Sequence, residues 1–278
     1  MYSYCCAQMN HPKASPFSII EQEVGLSKIT VEYSRPAARG RLLFGNQSDG
    51  EPGLVPYGRI WRVGANESTK IIFDTDVQIG SKKLLKGTYA LYAFPSETEW
   101  QIVFHENTTH WGDGRADYNA AEDALRIIVK PIATLDFQEN FLISFDHINH
   151  NEISMVWKWG NTKVVIPIKV DTQALMREKI QLELDNAPTA QTYYEIARYF
   201  QEQGLQRHES LEYVDKAIEM GGDTYYFYRV KSLIQADLKD YAKAIEAAKI
   251  SMKLAEKEGK DEFVRLNKNN IDTWYNNN

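Results

Sequence analysis

Residues 163–184 read KVVIPIKVDTQALMREKIQLEL, and the spacing of their apolar side chains changes at Asp171. Before Asp171, apolar residues occupy every second position, which is typical of a β-strand with one buried face. After Asp171 they recur every three or four residues, which is typical of one helix face, and Thr172 is a suitable N-cap. The change predicts two domains, a β domain over residues 12–171 and an α domain over residues 172–278.

The predicted β domain contains eight or nine segments in which apolar and polar residues alternate, separated by short turn sequences. Gly160-Asn161 is expected to form one of these turns. Pro167 lies inside the last segment, so we expect that strand at a sheet edge, where a missing N–H donor costs least. The pattern favours an antiparallel β-sandwich, jelly-roll-like, or a barrel.

The predicted α domain shows a repeated pattern of aromatic and small residues. Tyr193 and Tyr228 lead two comparable sets, about 35 residues apart. This spacing resembles tetratricopeptide repeats and predicts three stacked helical hairpins that could bind a protein partner. A generic helical bundle is the alternative.

Composition excludes several classes of protein. The chain has 278 residues, of which 43% are hydrophobic and 25% are charged, and its net charge is -6. These values are typical of a globular protein, and the acidic balance argues against a nucleic-acid partner. No apolar run approaches the roughly 18 residues of a spanning helix, so no integral membrane span is predicted. Cys5 and Cys6 are the only cysteines, which excludes a disulfide framework.

Residues 1–11 are expected to form a flexible N-terminus. Cys5 and Ala7 have the spacing of a signal-peptidase site before Gln8, but the charged and apolar regions of a signal peptide are missing. The segment is either a signal-peptide remnant or a plain terminus. We therefore expect a periplasmic or otherwise exported protein, with the cytoplasm as the alternative.

Several motifs in the β domain combine arginine, aromatic residues and glycine. They are Tyr-Ser-Arg-Pro at 33–36, Arg-Gly-Arg at 39–41, Leu-Val-Pro-Tyr-Gly-x-x-Trp-Arg-x-Gly-Ala-Asn-Glu-x-Thr at 54–69, Lys-Gly-Thr-Tyr-Ala-Leu-Tyr at 86–92 and Glu-Asp-Ala-Leu-Arg at 122–126. Together they resemble the bacterial family called domain of unknown function 2911, over about residues 12–171. The resemblance implies a β domain, in some members followed by helical repeats, and frequent export. It implies no activity.

Eight residues are candidates for a ligand pocket: Arg39, Arg41, Tyr57, Trp61, Arg62, Asn66, Glu67 and Trp111. Arg41 and Arg62 could bind a carboxylate, a phosphate or a sugar acid through paired hydrogen bonds. Trp61 and Tyr57 could stack on a sugar ring or a peptide side chain. Asn66 and Glu67 could orient the ligand, or Glu67 could act as a general acid or base. In the structural alternative, arginine–Glu67 pairs hold a long loop in place and Trp61 anchors it in the core.

No cofactor and no metal site are predicted. The metal candidates considered are His147 and His150, with Asp146 or Glu152, in a turn whose composition is also that of an ordinary hairpin. His105 and His110 flank a polar stretch before Trp111, for which catalysis or metal binding is an alternative to a plain surface loop.

Three functions remain open at this point. The first is a binding or scaffolding protein of the cell envelope, with a pocket for a small-molecule, saccharide or peptide ligand. The second is a carboxylate-dependent hydrolase of a saccharide or peptide, for which Glu67, Asp117, Glu122 and Asp123 are available. The third is a purely structural envelope module. Binding is preferred, and whether the protein is an enzyme stays open.

Overall fold

The first part of the chain folds into two antiparallel β-sheets. The computed structural model describes residues 12–46, 50–110, 117–221 and 224–276. The strands are β1 (Phe17–Val24), β2 (Ser27–Ser34), β3 (Thr69–Phe73), β4 (Val77–Ile79), β5 (Lys82–Leu84), β6 (Gly87–Pro95), β7 (Trp100–His105), β8 (Asp123–Val129), β9 (Ile132–Asp146) and β10 (Glu152–Val170). One sheet has the order β1-β2-β3-β6-β7-β8 and the other the order β5-β4-β10-β9. Within the described ranges neither sheet closes on itself, so the predicted sandwich is confirmed and the alternative of a barrel is not.

Alternation of side chains places one face of each sheet in a common hydrophobic core. In β6, Tyr89, Leu91 and Ala93 point into this core. The residues between them, such as Ala90 and Tyr92, form a separate small cluster on the opposite face of the same sheet. The larger sheet is therefore covered on both faces around β6 and β7, which explains why β6 is an almost uninterrupted apolar run.

Two details of the last strand differ from the prediction. The expected turn at Gly160-Asn161 is wrong, because β10 continues through it as one 19-residue strand. Gly160 has a φ of 56° and marks an irregularity in the pairing with β9, which is how a β-bulge bends a strand without ending it. The edge position is also wrong, since β10 lies between β4 and β9. Pro167 is tolerated because it falls between Lys163, the last residue paired with β9, and Ile168, the first paired with β4.

In the described part of the chain, six α-helices follow the sheets, as the change of spacing at Asp171 predicts. They are α1 (Thr172–Asp185), α2 (Ala190–Glu202), α3 (Arg207–Glu219), α4 (Tyr225–Asp237), α5 (Tyr241–Lys257) and α6 (Asp261–Tyr275). Contacts divide the chain into two compact units, Met1–Leu175 and Met176–Asn278, so the division falls inside α1. Among the described residues, no helix is long and apolar enough to cross a lipid bilayer.

The helices pack through aromatic and small side chains, and in α4 the buried aromatic residue is Phe227, next to the Tyr228 that the sequence pattern singled out. Tyr194 of α2 stacks on Phe227 of α4 with ring centroids 4.5 Å apart. Ser210 of α3 donates to the carbonyl oxygen of Ala197 at 2.8 Å, which brings α2 and α3 close together. The all-α character is thereby confirmed, whereas the likeness to tetratricopeptide repeats stays a prediction.

Candidate functional site

The long loop between β2 and β3 carries most of the candidate residues and connects the two sheets. Trp61 exchanges two backbone hydrogen bonds of 2.8 Å with Ala93 of β6, in the larger sheet. At the other end of the loop, the Ala38 N–H donates to the carbonyl of Glu139 in β9, at 2.9 Å. Because the loop is fastened to both sheets, its polar side chains are held in fixed positions at one side of the sandwich.

A cavity of about 330 Å³ lies beside this loop and is lined by four of the eight candidates: Arg39, Arg41, Trp61 and Arg62. We call it the arginine pocket. Most of its other wall residues are small or apolar, and they include Pro36, Leu54, Pro56, Ile60 and Trp159. Among the residues that the structure describes, no carboxylate lines this cavity. Arg39 and Arg41 therefore bring positive charge to its wall.

The arginines of the pocket are oriented by backbone carbonyls. Arg41 donates from Nε to the carbonyl oxygen of Ala38 at 3.0 Å and from Nη2 to that of Ala37 at 2.8 Å. Arg62 donates from Nη1 to the carbonyl oxygen of Asn66 at 2.9 Å. A guanidinium has five N–H donors, so the two bonds of Arg41 leave others for a ligand. Backbone carbonyls thus fix one side of the Arg41 guanidinium, and its remaining N–H groups are available to a ligand.

Trp61 is mainly a core residue. It is 6% exposed and stacks on Trp159 with ring centroids 6.0 Å apart, while Phe141 meets it edge-on at 5.1 Å. Its indole nitrogen donates to the carbonyl oxygen of Gly64 at 3.2 Å. These contacts match the structural alternative, in which Trp61 anchors the loop, and Trp61 also forms part of the pocket wall.

The remaining candidates do not line the arginine pocket. Tyr57 is 43% exposed and lies against Gly45. Asn66 and Glu67 line a separate, smaller cavity of about 50 Å³. There the Glu67 carboxylate pairs with Lys70 at 3.4 Å instead of with an arginine. Trp111 lies outside the described residues, as does the N-terminal segment 1–11.

The candidate histidines of the β9–β10 turn lie on the surface. The side chain of His147 is 76% exposed, and its Nε2 atom is 3.9 Å from Asp146. His150 is exposed as well, and its carbonyl oxygen accepts a hydrogen bond from the Thr172 hydroxyl. Nothing in these contacts gathers ligands around a common point.

A second polar cluster lies on the outer face of the larger sheet, at the ends of β7 and β8. His105 is the last residue of β7 and is completely buried. Its Nδ1 atom is 3.1 Å from Oδ1 of Asp123, and its Nε2 atom is 3.4 Å from Oε2 of Glu122. His110 is also buried, with its ring centroid 5.3 Å from that of His105. His105, His110 and Glu122 are called the histidine cluster below.

Asp123 is the centre of a hydrogen-bond network that supports this cluster. Its carboxylate accepts bonds from the Tyr118 hydroxyl at 2.8 Å and from Nη2 of Arg126 at 2.6 Å. Burial, together with the hydrogen bond to Asp123, raises the pKa of the Tyr118 phenol. Tyr118 therefore remains a proton donor to the carboxylate. Arg126 also donates to Gln101 at 2.6 Å, which fixes the guanidinium between β7 and β8.

Comparison with protein families gives a match to "Protein of unknown function (DUF2911)" over residues 15–168. This range covers more than half of the chain. The chain belongs to the DUF2911 family. No curated protein and no solved structure is significantly similar to it. The family resemblance inferred from the motifs is thereby confirmed.

Both polar sites lie within the DUF2911 region of the chain. The arginine pocket gathers residues that the motifs at 39–41 and 54–69 had already singled out. The histidine cluster joins two histidines that the sequence marks as possible ligands to Glu122, a residue considered only as one carboxylate among several. In the sequence, Glu122 and Asp123 stand out only as the first two residues of the Glu-Asp-Ala-Leu-Arg motif. Their proximity to His105 depends on how β7 pairs with β8, which the motif does not show.

Proposed function

We propose that this DUF2911 protein binds a small anionic ligand in the arginine pocket. The ligand class is a saccharide or peptide that carries a carboxylate or a phosphate. The observation that carries the proposal is the lining of the cavity, in which the guanidinium groups of Arg39 and Arg41 donate to backbone carbonyl oxygens and, among the described residues, pair with no carboxylate. A charged ligand would supply the missing negative charge through charge-assisted hydrogen bonds.

The size and the chemistry of the cavity support this class of ligand. Its volume of about 330 Å³ is near the lower end for small-molecule sites and suits a single sugar ring or a dipeptide. Leu54, Pro56 and Ile60 offer apolar contacts to the body of the ligand, and the arginines offer donors to its acidic group. This division of roles is common in ligand sites.

Prior orientation of Arg41 strengthens the proposal. The bonds from Arg41 to Ala37 and Ala38 restrict its rotamer before any ligand binds. Less conformational entropy is then lost on binding. A lysine could not replace it, because an ammonium lacks the planar pair of donors that a carboxylate accepts.

Binding is preferred to hydrolysis at this cavity. A glycosidase of the usual kind needs two carboxyl groups beside the scissile bond. Glu67, the carboxylate that the sequence offered as a general acid or base, lines a different cavity and pairs with Lys70. The described lining therefore offers donors to a ligand and no acid–base pair.

We also propose that the protein acts outside the cytoplasm and that its helices bind a protein partner in the cell envelope. Export is supported by the family resemblance, and a partner by the likeness of the helices to tetratricopeptide repeats. Cell fractionation tests the first point. Recovery of the protein only in the cytoplasmic fraction would contradict it.

The ligand proposal is tested by isothermal titration of the full chain with galacturonate, glucose 6-phosphate and an acidic dipeptide. Neutral galactose is the matched uncharged probe. We expect at least one acidic probe to bind and galactose not to bind. Arg41→Gln is expected to weaken binding at least tenfold, because a bidentate charged contact is lost.

Arg59→Gln is the matched control, since Arg59 is an exposed arginine of the same loop and does not line the cavity. Its affinity should equal that of the unmodified protein. Equal affinities for all three proteins, or binding of galactose as tight as that of galacturonate, would refute the anionic pocket. Thermal unfolding of each variant shows whether the loop is still folded.

A further inference from the structure

His105 of the histidine cluster occupies a buried position where packing alone does not require a histidine. His105 faces Ala90 of β6 across the strand pair, on the side of the sheet away from the main core. An apolar residue would fill this buried position at lower cost than an imidazole, because a buried polar group must recover its lost hydration. The histidine therefore needs partners for both of its ring nitrogens.

Among the residues that the structure describes, one ring nitrogen of His105 has a hydrogen-bond partner and the other has none. Nδ1 of His105 lies beside the Asp123 carboxylate, which only accepts hydrogen bonds, so Nδ1 carries the proton. Nε2 then presents a lone pair. Among the described residues, this Nε2 atom and Oε2 of Glu122 are both buried and have no hydrogen-bond partner.

These two unpartnered atoms face each other at 3.4 Å. Both are electron-pair donors, so the arrangement is repulsive unless a positive charge lies between them. The candidates for that charge are a metal cation and a proton. The third group of the cluster, His110, decides between them, because a proton needs two acceptors whereas a metal ion needs more ligands.

The positions of the three groups suit a metal ion. One ligand atom from each of His105, His110 and Glu122 lies within 4.8 Å of the other two. Zinc bonds of about 2.0–2.2 Å at tetrahedral angles separate two ligand atoms by about 3.4 Å. The distance between Nε2 of His105 and Oε2 of Glu122 already has this value. Since the ligand atoms lie within 4.8 Å of one another, a shift of at most about 1.4 Å brings the third ligand atom to the same separation.

Neighbouring side chains orient the two histidines and balance the charge of Asp123, as groups around metal ligands usually do. Asp123 orients His105 from behind, as carboxylates do in zinc sites. The Tyr92 hydroxyl lies 3.2 Å from Nδ1 of His110 and restrains that ring. Arg126 balances the charge of Asp123 through bonds of 2.6 Å and 3.2 Å. Glu122 is then left as the negative charge for a divalent cation.

We propose that His105, His110 and Glu122 bind one Zn²⁺ ion. Two imidazoles and one carboxylate are a ligand set that zinc accepts, and they leave a fourth coordination position for water or a substrate atom. The site is distinct from the arginine pocket, since the two share no lining residue. It also revises the expectation from sequence that no metal binds, and it places the metal away from His147 and His150.

The test uses the full chain after treatment with a chelator. Zinc binding is measured by isothermal titration and by elemental analysis after gel filtration. We expect one Zn²⁺ per chain. Glu122→Gln keeps the size of the side chain and removes its charge, and His110→Asn removes an imidazole, so each should weaken zinc affinity at least tenfold. His105 is left unchanged because it is completely buried.

Two controls separate this site from other carboxylates and histidines. Glu106→Gln changes an exposed carboxylate next to His105, and the double variant His147→Asn, His150→Asn changes the exposed turn. Both should bind zinc like the unmodified protein. Loss of binding in the turn variant, or an unchanged affinity in Glu122→Gln, would overturn the proposal.

Measurements on the unmodified protein keep the proposal testable if a variant fails to fold. Replacement of Zn²⁺ by Co²⁺ should give the visible absorption of a four- or five-coordinate ion with nitrogen ligands. Nitrogen NMR of the imidazoles should show Nε2 of His105 without a proton when zinc is present. A proton on that atom in the presence of excess zinc would mean that the proton, and not a metal ion, separates His105 from Glu122.

Discussion

His105 and Asp123 are register partners at the ends of β7 and β8, and their side chains meet at 3.1 Å between Nδ1 and Oδ1. The pairing is irregular at this point, with a register shift between Phe104 and His105. Such bulges redirect side chains, and they occur often beside functional sites. Here the shift brings a carboxylate behind a buried imidazole and leaves the other side of the ring facing Glu122.

Asp123→Asn should destabilise the protein. The amide keeps the size of the carboxylate but loses the charge that accepts bonds from Tyr118 and Arg126. Because hydrogen bonds to charged groups are the stronger ones, we expect the free energy of unfolding to fall by about 2–3 kcal/mol. Urea denaturation measures this, and the exposed Asp117→Asn should stay within about 0.5 kcal/mol of the unmodified protein. Equal losses in both would show that the network contributes nothing.

Tyr33→Phe should weaken the connection between the two sheets. The Tyr33 hydroxyl, on β2, donates to the carbonyl oxygen of Ile143 at 3.2 Å and accepts from the N–H of Ile143 at 3.1 Å. Phenylalanine leaves both buried backbone groups of β9 without this partner, at a cost of about 1–3 kcal/mol. Tyr57→Phe is the control, because Tyr57 is 43% exposed. A similar midpoint of chemical unfolding for both variants would contradict the prediction.

Gly25→Ala should be more damaging than Gly80→Ala. Both glycines lie in hairpin turns with left-handed backbone, at φ values of 57° and 63°. A Cβ atom at Gly25 would collide with the carbonyl oxygen of His150 and with the Thr172 side chain, whereas the space at Gly80 is open. The strained backbone conformation costs both variants about 1–2 kcal/mol. The collision should add about 1–3 kcal/mol at Gly25 alone.

Thermal and urea unfolding of the two glycine variants give the difference directly. If Gly25→Ala and Gly80→Ala unfold at the same urea concentration, the close approach between the β1–β2 turn and the start of α1 does not exist in solution.

Tyr118 predicts a specific loss of stability at alkaline pH. Burial raises the pKa of its phenol above the ordinary value of 10.0, so the folded protein keeps a proton that the unfolded chain releases. The stability contributed by this protonated phenol is complete below pH 10.0 and is lost as the pH rises from there toward the folded-state pKa. Tyr118→Phe should remove this part of the pH dependence.

The measurement is the slope of unfolding free energy against pH between about 9.5 and 11, which reports proton release and not the absolute stability. The slope should be steeper in the unmodified protein than in Tyr118→Phe. Parallel slopes would show that the phenol titrates normally in the folded state.

The sequence predicted the positions of strands and helices better than the way in which the strands pair. The alternation at Ile29, Val31 and Tyr33 identified β2, because one face of that strand is buried and the other is not. In β1 the contrast is weaker, since Phe17 and Ile19 are more than half exposed, so alternation identifies this strand less clearly. Gly160 looked like a turn residue, because a bulge and a turn use the same left-handed backbone.

The sequence predicted only part of the candidate site, because it shows which residues share a loop but not where each side chain points. Arg39, Arg41 and Arg62 are close in sequence, so one folded loop brings them together. Glu67 belongs to the same motif but lies in another cavity with Lys70, because the backbone turns at Asn66, where φ is 64°. A motif places residues in one loop and does not determine the side on which each side chain emerges.

Apolar periodicity alone determined that this chain has a β part before Asp171 and an α part after it, because burial of one face is a local property of each strand or helix. The contacts of His105 with Asp123 and Glu122 were decided only by the tertiary structure. They join residues 17 and 18 positions apart, which meet only once β7 and β8 pair in one particular register. Strand register depends on the packing of the whole sheet, and a shift of one residue would turn these side chains to the opposite face.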